Sequence, residues 1–241
     1  MSGHSKWSTI KRKKAVIDAK RGKIFTKLIK EITVAAKIGG GDVDANPRLR
    51  LVVDNAKSAN MPMDNIERAI KKATGELEGV TYLELMYEGY GPSGVAFLVE
   101  CLTDNKNRTV AEVRHLLTKH GNGLGESGSV AWMFDRKGVI TLPIQGKSED
   151  DILEIILEVG ADDLQTEDEY FEVTTSVDTF EDVRKALVDN GLEVENASLQ
   201  WIAKNTFEVS GEASEKVMTL YDMLEDSEDV QNVYSNADFT D

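Results

Sequence analysis

The apolar residues of this 241-residue chain change their spacing near residue 80, from intervals of three and four to strand-like runs. That switch demands a helical unit joined to sheet-bearing ones. From Asp18 to Lys37, the residues Ile24, Phe25, Leu28, Ile29, Ile32, Ala35 and Ala36 recur on one arc of a helix, and Lys20, Lys23, Lys27, Lys30 and Lys37 fall roughly opposite. Gly39-Gly40-Gly41 ends this helix. Asn46-Pro47 opens a second one with a capping side chain and a proline at the first helical position, and Leu49, Val52, Val53 and Ala56 form its inner stripe. Pro62 stops it. Asp64, with Glu67 three residues on, predicts a capping box for a third helix, with Ile66, Ala69, Ile70 and Ala73 inward and Gly75 at its end.

Beyond residue 80, Tyr82 to Tyr90 and Val95 to Leu102 read as strands joined by Gly91-Pro92-Ser93-Gly94. A helix from Asn107 to Lys119 follows, then a glycine-rich loop and a strand from Val130 to Phe134. The next run is strand (Val139 to Pro143), helix (Asp150 to Val159), two strands (Asp163 to Thr166, Tyr170 to Thr174), helix (Phe180 to Asn190) and strand (Val194 to Trp201). This βαββαβ order is the ferredoxin-like pattern. A last helix near Ser214 to Glu225 and a strand near Val230 to Tyr234 are too few for a core of their own, so they should return to the unit begun at residue 80. The expectation is an α+β multidomain protein: a basic three-helix domain over 1–79, an α/β sandwich over 80–134 plus 205–241, and a second, ferredoxin-like sandwich over 135–204 inserted into it.

Charge divides along the same line. Residues 1–75 carry net +10 and residues 76–241 net −25. Ten cations (Lys6, Lys11, Arg12, Lys13, Lys14, Lys20, Arg21, Lys23, Lys27 and Lys30) fall within 25 residues, with Asp18 the one acid among them and Trp7 available for stacking or docking. Solubility does not need such density. Phosphate backbones reward it through counterion release, without base selectivity, so the expected partner is a nucleic acid.

Other chemistries find little support. Gly123-Leu-Gly125-Glu-Ser-Gly128 spells G-x-G-x-x-G, but a helix precedes it and a strand follows, the reverse of what a dinucleotide site needs. His115 and His120 lack zinc-ligand spacing, and the acids of Asp42-Val43-Asp44 and Glu167-Asp168-Glu169 read as solvated loops. No Ser stands in a nucleophile elbow. The expectation is therefore no enzyme, no cofactor, no metal and no small-molecule substrate. Cys101, the one cysteine, lies in an apolar run and reads as a small buried hydrophobe. No apolar run approaches a membrane span and no secretory h-region follows Met1, so a cytoplasmic protein is expected and the sequons at Asn107 and Asn196 carry no meaning.

Five blocks, in order, carry a likeness: Gly3-His4-Ser5-Lys6-Trp7; Asn46-Pro47-Arg48-Leu49-Arg50; Asn60-Met61-Pro62-Met63-Asp64-Asn65-Ile66; Thr103-Asp104-Asn105-Lys106-Asn107-Arg108-Thr109; and Gly128-Ser129-Val130 followed by Phe134. Together they resemble the YebC/PmpR family, whose mitochondrial branch is the translational activator of cytochrome c oxidase subunit I. The resemblance implies three domains and either DNA-binding transcriptional regulation or ribosome-associated translation, so that the partner would be DNA or else ribosomal RNA and with it the ribosome. It also adds Arg48 and Arg50 to Lys6 and Trp7 as nucleic-acid-binding candidates.

Overall fold

The computed structural model describes residues 21–144, 146–167 and 169–240. Three helices come first: α1 (Arg21–Gly39), α2 (Pro47–Ser58) and α3 (Met63–Ala73). The Asn46 side chain accepts from the Leu49 N–H at the start of α2, and its amide donates to the Ala35 and Gly40 carbonyls, so one residue caps a helix and ties it to α1. Ile32, Leu49, Val53, Ala56 and Ile66 are buried at the centre of this domain. The capping box expected from Asp64 and Glu67 does not form. The helix begins at Met63, behind Pro62, which leaves Asp64 inside the first turn, where its charge faces the positive end of the helix.

The middle domain contains β1 (Leu83–Tyr90), β2 (Ala96–Thr103), α4 (Lys106–His120) and the short β3 (Gly123–Leu124). After an excursion of some eighty residues, α7 (Gly211–Asp226) and β9 (Val230–Ser235) complete it, giving a sheet ordered β3-β1-β2-β9. The return expected of the final helix and strand is seen directly, as β9 pairs antiparallel with β2. Phe97, Val99 and Cys101 of β2 face α4 and α7, whereas Ala96 and Leu98 face the other way, toward Val130, Phe134 and Trp201. Burial on both faces explains why β2 reads as a continuous apolar run.

Between β3 and the return lie β4 (Phe134–Pro143), α5 (Glu149–Leu157), β5 (Ala161–Thr166), β6 (Tyr170–Thr175), α6 (Phe180–Asp189) and β7 (Asn196–Ala203). Their antiparallel sheet is ordered β5-β6-β4-β7, with both helices packed on one face over Ile140, Leu142 and Val173. A small parallel pair, β8 (Phe207–Val209) with β10 (Ala237–Phe239), closes the chain onto the middle domain.

The strand expected at Val130 to Phe134 is instead a 3₁₀ turn at Ala131–Met133 leading into β4, a single strand that runs through Asp135-Arg136-Lys137-Gly138. Val130 and Phe134 are apolar because they fill the space between the two sheets, not because they alternate along a strand. Gly138 is required inside β4 because a Cβ there would collide with Phe180 and Thr175.

Candidate nucleic-acid interface

The lysines of α1 do form one stripe, but it faces protein. Lys23 Nζ donates to the Asp226 carboxylate (2.9 Å), Lys27 to the Glu225 carbonyl (3.1 Å) and Lys30 to the Glu228 carbonyl (2.7 Å). Asp226 ends α7, which has no basic residue in its own last turn, so α1 supplies the positive charge that its terminal carbonyls attract.

Lys30 goes deepest. It is 8% exposed, and besides Glu228 it reaches the Leu102 carbonyl and the carboxylate of Asp229, itself 2% exposed. Asp229 also accepts from Arg108 through Nε and Nη2 and from Thr109 Oγ1. Burial alone would raise the Asp229 carboxyl, but the donors from Arg108, Thr109 and Lys30 hold it below its ordinary range. The block Thr103 to Thr109 thus serves to build an internal anion site that receives α1.

Arg48 and Arg50 also meet the body. Both Nη atoms of Arg48 fork onto Glu84 of β1, and Arg50 lies 3.6 Å from Glu181 of α6 while donating to the Val43 carbonyl. Nearby, Asn55 donates to the Ala197 carbonyl and Arg184 meets Asp54. The helical domain therefore sits on both α+β domains. The three enclose a cleft of about 1150 Å³, lined by eight carboxylate residues against four Lys or Arg. In it, burial raises the carboxyl of Glu31, and hydrogen bonding from Gln231 and the charge of Arg48 only partly oppose this. A phosphate backbone is repelled from such a space.

Lys6, Trp7, Lys11, Arg12, Lys13, Lys14 and Lys20 lie outside the described residues, and Arg21 opens α1. Of the expected site, then, the structure brings together Lys23, Lys27, Lys30, Arg48 and Arg50, and it engages all five with the acidic body. On the opposite side, α3 turns Arg68, Lys71 and Lys72 to solvent, with no ion pair among the described residues. The charge count around the N-terminal cluster passed over these three. The available signal was their position opposite Ile66, Ala69 and Ala73 on the helix.

The glycine-rich loop has an internal ligand. Glu88, 6% exposed, accepts from the backbone N–H groups of Gly128 (2.6 Å), Val130 (2.8 Å) and Ala131 (2.8 Å). These donors outweigh burial and lower its pKa. A carboxylate of the chain itself fills the nest that a phosphate would need. Among the described residues no cluster of three or more His, Cys, Asp or Glu is placed to hold a metal, and no helix is long and apolar enough to cross a membrane.

Two family models match the chain: one described as the TACO1/YebC protein N-terminal domain over residues 5–76, the other as the TACO1/YebC second and third domain over 82–237. A probable transcriptional regulatory protein of Chlorobaculum tepidum is 57% identical over 241 residues, covering 100% of this chain and 96% of its own. One from Geobacter sulfurreducens is 58% identical over 240 residues, covering 100% and 97%. The crystal structure of a conserved hypothetical protein from Aquifex aeolicus, 46% identical, superposes with a TM-score of 0.87 over 94% of each chain.

Proposed function

The chain belongs to the TACO1/YebC family, and on that premise we propose that it is a non-enzymatic regulator of gene expression that holds nucleic acid by its basic N-terminal end. The observation that carries this reading is the polarity of the molecule. A +10 end adjoins a −25 body, and among the described residues carboxylates of the body pair with Lys23 of α1 and with Arg48 and Arg50 of α2. The run Lys11 to Lys14 lies six residues before α1 in the chain and has a single acid, Asp18, near it. Backbone phosphate is the ligand such a cluster favours. The name of the relatives, probable transcriptional regulatory protein, supports DNA as the target and transcription as the process.

A second reading, a ribosome-associated translation factor gripping structured RNA, is favoured by one observation. Near the leading ends of α1 and α2, Lys23, Arg48 and Arg50 pair with carboxylates of the body, and the first turn of α3 carries the acid Asp64. Substituting Lys11 to Lys14 with Gln separates the two. Loss of footprints on promoter DNA, with no ribosome co-sedimentation in the parent protein, supports transcription. Ribosome association lost in the variant, without any promoter footprint, supports translation, and binding to neither refutes both.

A further inference from the structure

Lys23 and Arg48 are each held by a carboxylate of the α+β body, Asp226 and Glu84 respectively, and Arg50 lies 3.6 Å from a third, Glu181. We propose that the face of the helical domain carrying Lys23, Arg48 and Arg50 is a second phosphate-binding surface, which the body covers with its own carboxylates. A nucleic-acid backbone and Asp226, Glu84 and Glu181 then compete for the same cations. The proposal rests on the nucleic-acid reading above and extends it to a surface that is closed in the docked arrangement.

The covering groups offer the same kind of ligand that a phosphate would. Arg48 grips Glu84 with both Nη atoms, the fork geometry that guanidinium also presents to phosphate. Exposure decides which contacts can exchange. The side chains of the Lys23–Asp226 pair are 50% and 61% exposed, and those of Arg48–Glu84 are 46% and 48%. Pairs so open to solvent are individually weak and screened by salt. The Lys30–Asp229 pair, with side chains 10% and 2% exposed, is not of this kind. It keeps α1 attached to the body while the rim pairs are displaced. For a polyanion already bound by the cations that precede α1 in the chain, the second contact becomes intramolecular. The acidic body thereby acts as a built-in competitor that only a multivalent phosphate backbone overcomes.

The test uses the full chain and two probes, a 20-base-pair DNA duplex and an RNA hairpin, each fluorescently labelled. The variant Glu84→Gln/Glu181→Gln/Asp226→Asn removes the competitor. Asp150→Asn/Glu154→Gln/Glu158→Gln, on exposed residues of α5 and its C-terminal end, makes the same change in net charge elsewhere. The first variant is expected to bind about tenfold more tightly than the second, the scale of one or two exposed ion pairs. Lys23→Gln/Arg48→Gln/Arg50→Gln is expected to bind more weakly than the parent. Equal affinity of the two carboxylate variants, or parent-like binding by the cation variant, overturns the proposal and leaves the nucleic-acid reading standing. A parent protein that binds neither probe removes that reading and this one with it. A DNA-only or RNA-only response supports the covered surface and assigns its target.

Discussion

Replacing Asp229 with Asn separates the charge of the internal anion site from its shape. Asn keeps the volume and one acceptor, so the loss falls on the ion pairs. Arg108 retains Asp104 and solvent, whereas Lys30, with a side chain 10% exposed, is left with the Leu102 and Glu228 carbonyls and the Tyr82 ring 5.7 Å away. Removing one partner of a buried pair costs about 3–5 kcal/mol, and the two remaining carbonyls place this case near the lower end, about 3 kcal/mol. Urea unfolding at pH 7 reads it, with the transitions of the domains fitted separately because three cores need not melt together. Adding Lys30→Met should restore at least half of the loss by removing the stranded charge. The pH dependence gives an independent check. Because the folded pKa of Asp229 is depressed, its contribution is fully present above the ordinary value of 3.8 and is lost as pH falls through the folded value. Parent and variant curves must converge in acid. A variant within 0.5 kcal/mol of the parent at pH 7, or a double variant no better than the single, would refute this account of the site.

Glu88→Ala strands one buried and two part-buried backbone donors and should cost about 3 kcal/mol, with accelerated amide exchange at Gly128, Val130 and Ala131; unchanged exchange would show that another group satisfies them. Glu31 has a raised folded pKa, so its contribution is full below the ordinary 4.5 and declines as pH rises through the folded value. Glu31→Gln should therefore be more stable than the parent at pH 7 and lose that advantage at pH 4, as measured by urea midpoints. Burial pushes the Cys101 thiol up to about 12, so the native protein should resist a thiol reagent at pH 8 and react only on unfolding.

The parts legible in the sequence are those set by neighbours in the chain. Asn46-Pro47 marks the start of α2 because a cap and an N1 proline act within three residues, and the spacing of Ile140, Ile152, Val173 and Val183 carries the βαββαβ order because each element has its own period. What escaped depends on partners far apart. Lys30 and Asp229 are 199 residues distant, and Arg48 and Glu84 are 36 apart, so a lysine stripe that looks free for phosphate is spent on protein. Gly138 and the charged run before it fall between two expected strands, and only Phe180 and Thr175, set against Gly138, show why one strand continues through them. The division of charge was visible at once. Its use, an acidic body cradling the inward half of a basic domain, required the fold.

The central claim is that cations at the N-terminal end meet a phosphate backbone, and the salt dependence of affinity measures this most directly. For the full chain on a DNA duplex, the logarithm of the binding constant should fall linearly with the logarithm of salt, by about 0.9 for each phosphate contacted, and Lys11 to Lys14 substitution should flatten the slope. A binding constant indifferent to salt, or a slope untouched by removing those four charges, would contradict it.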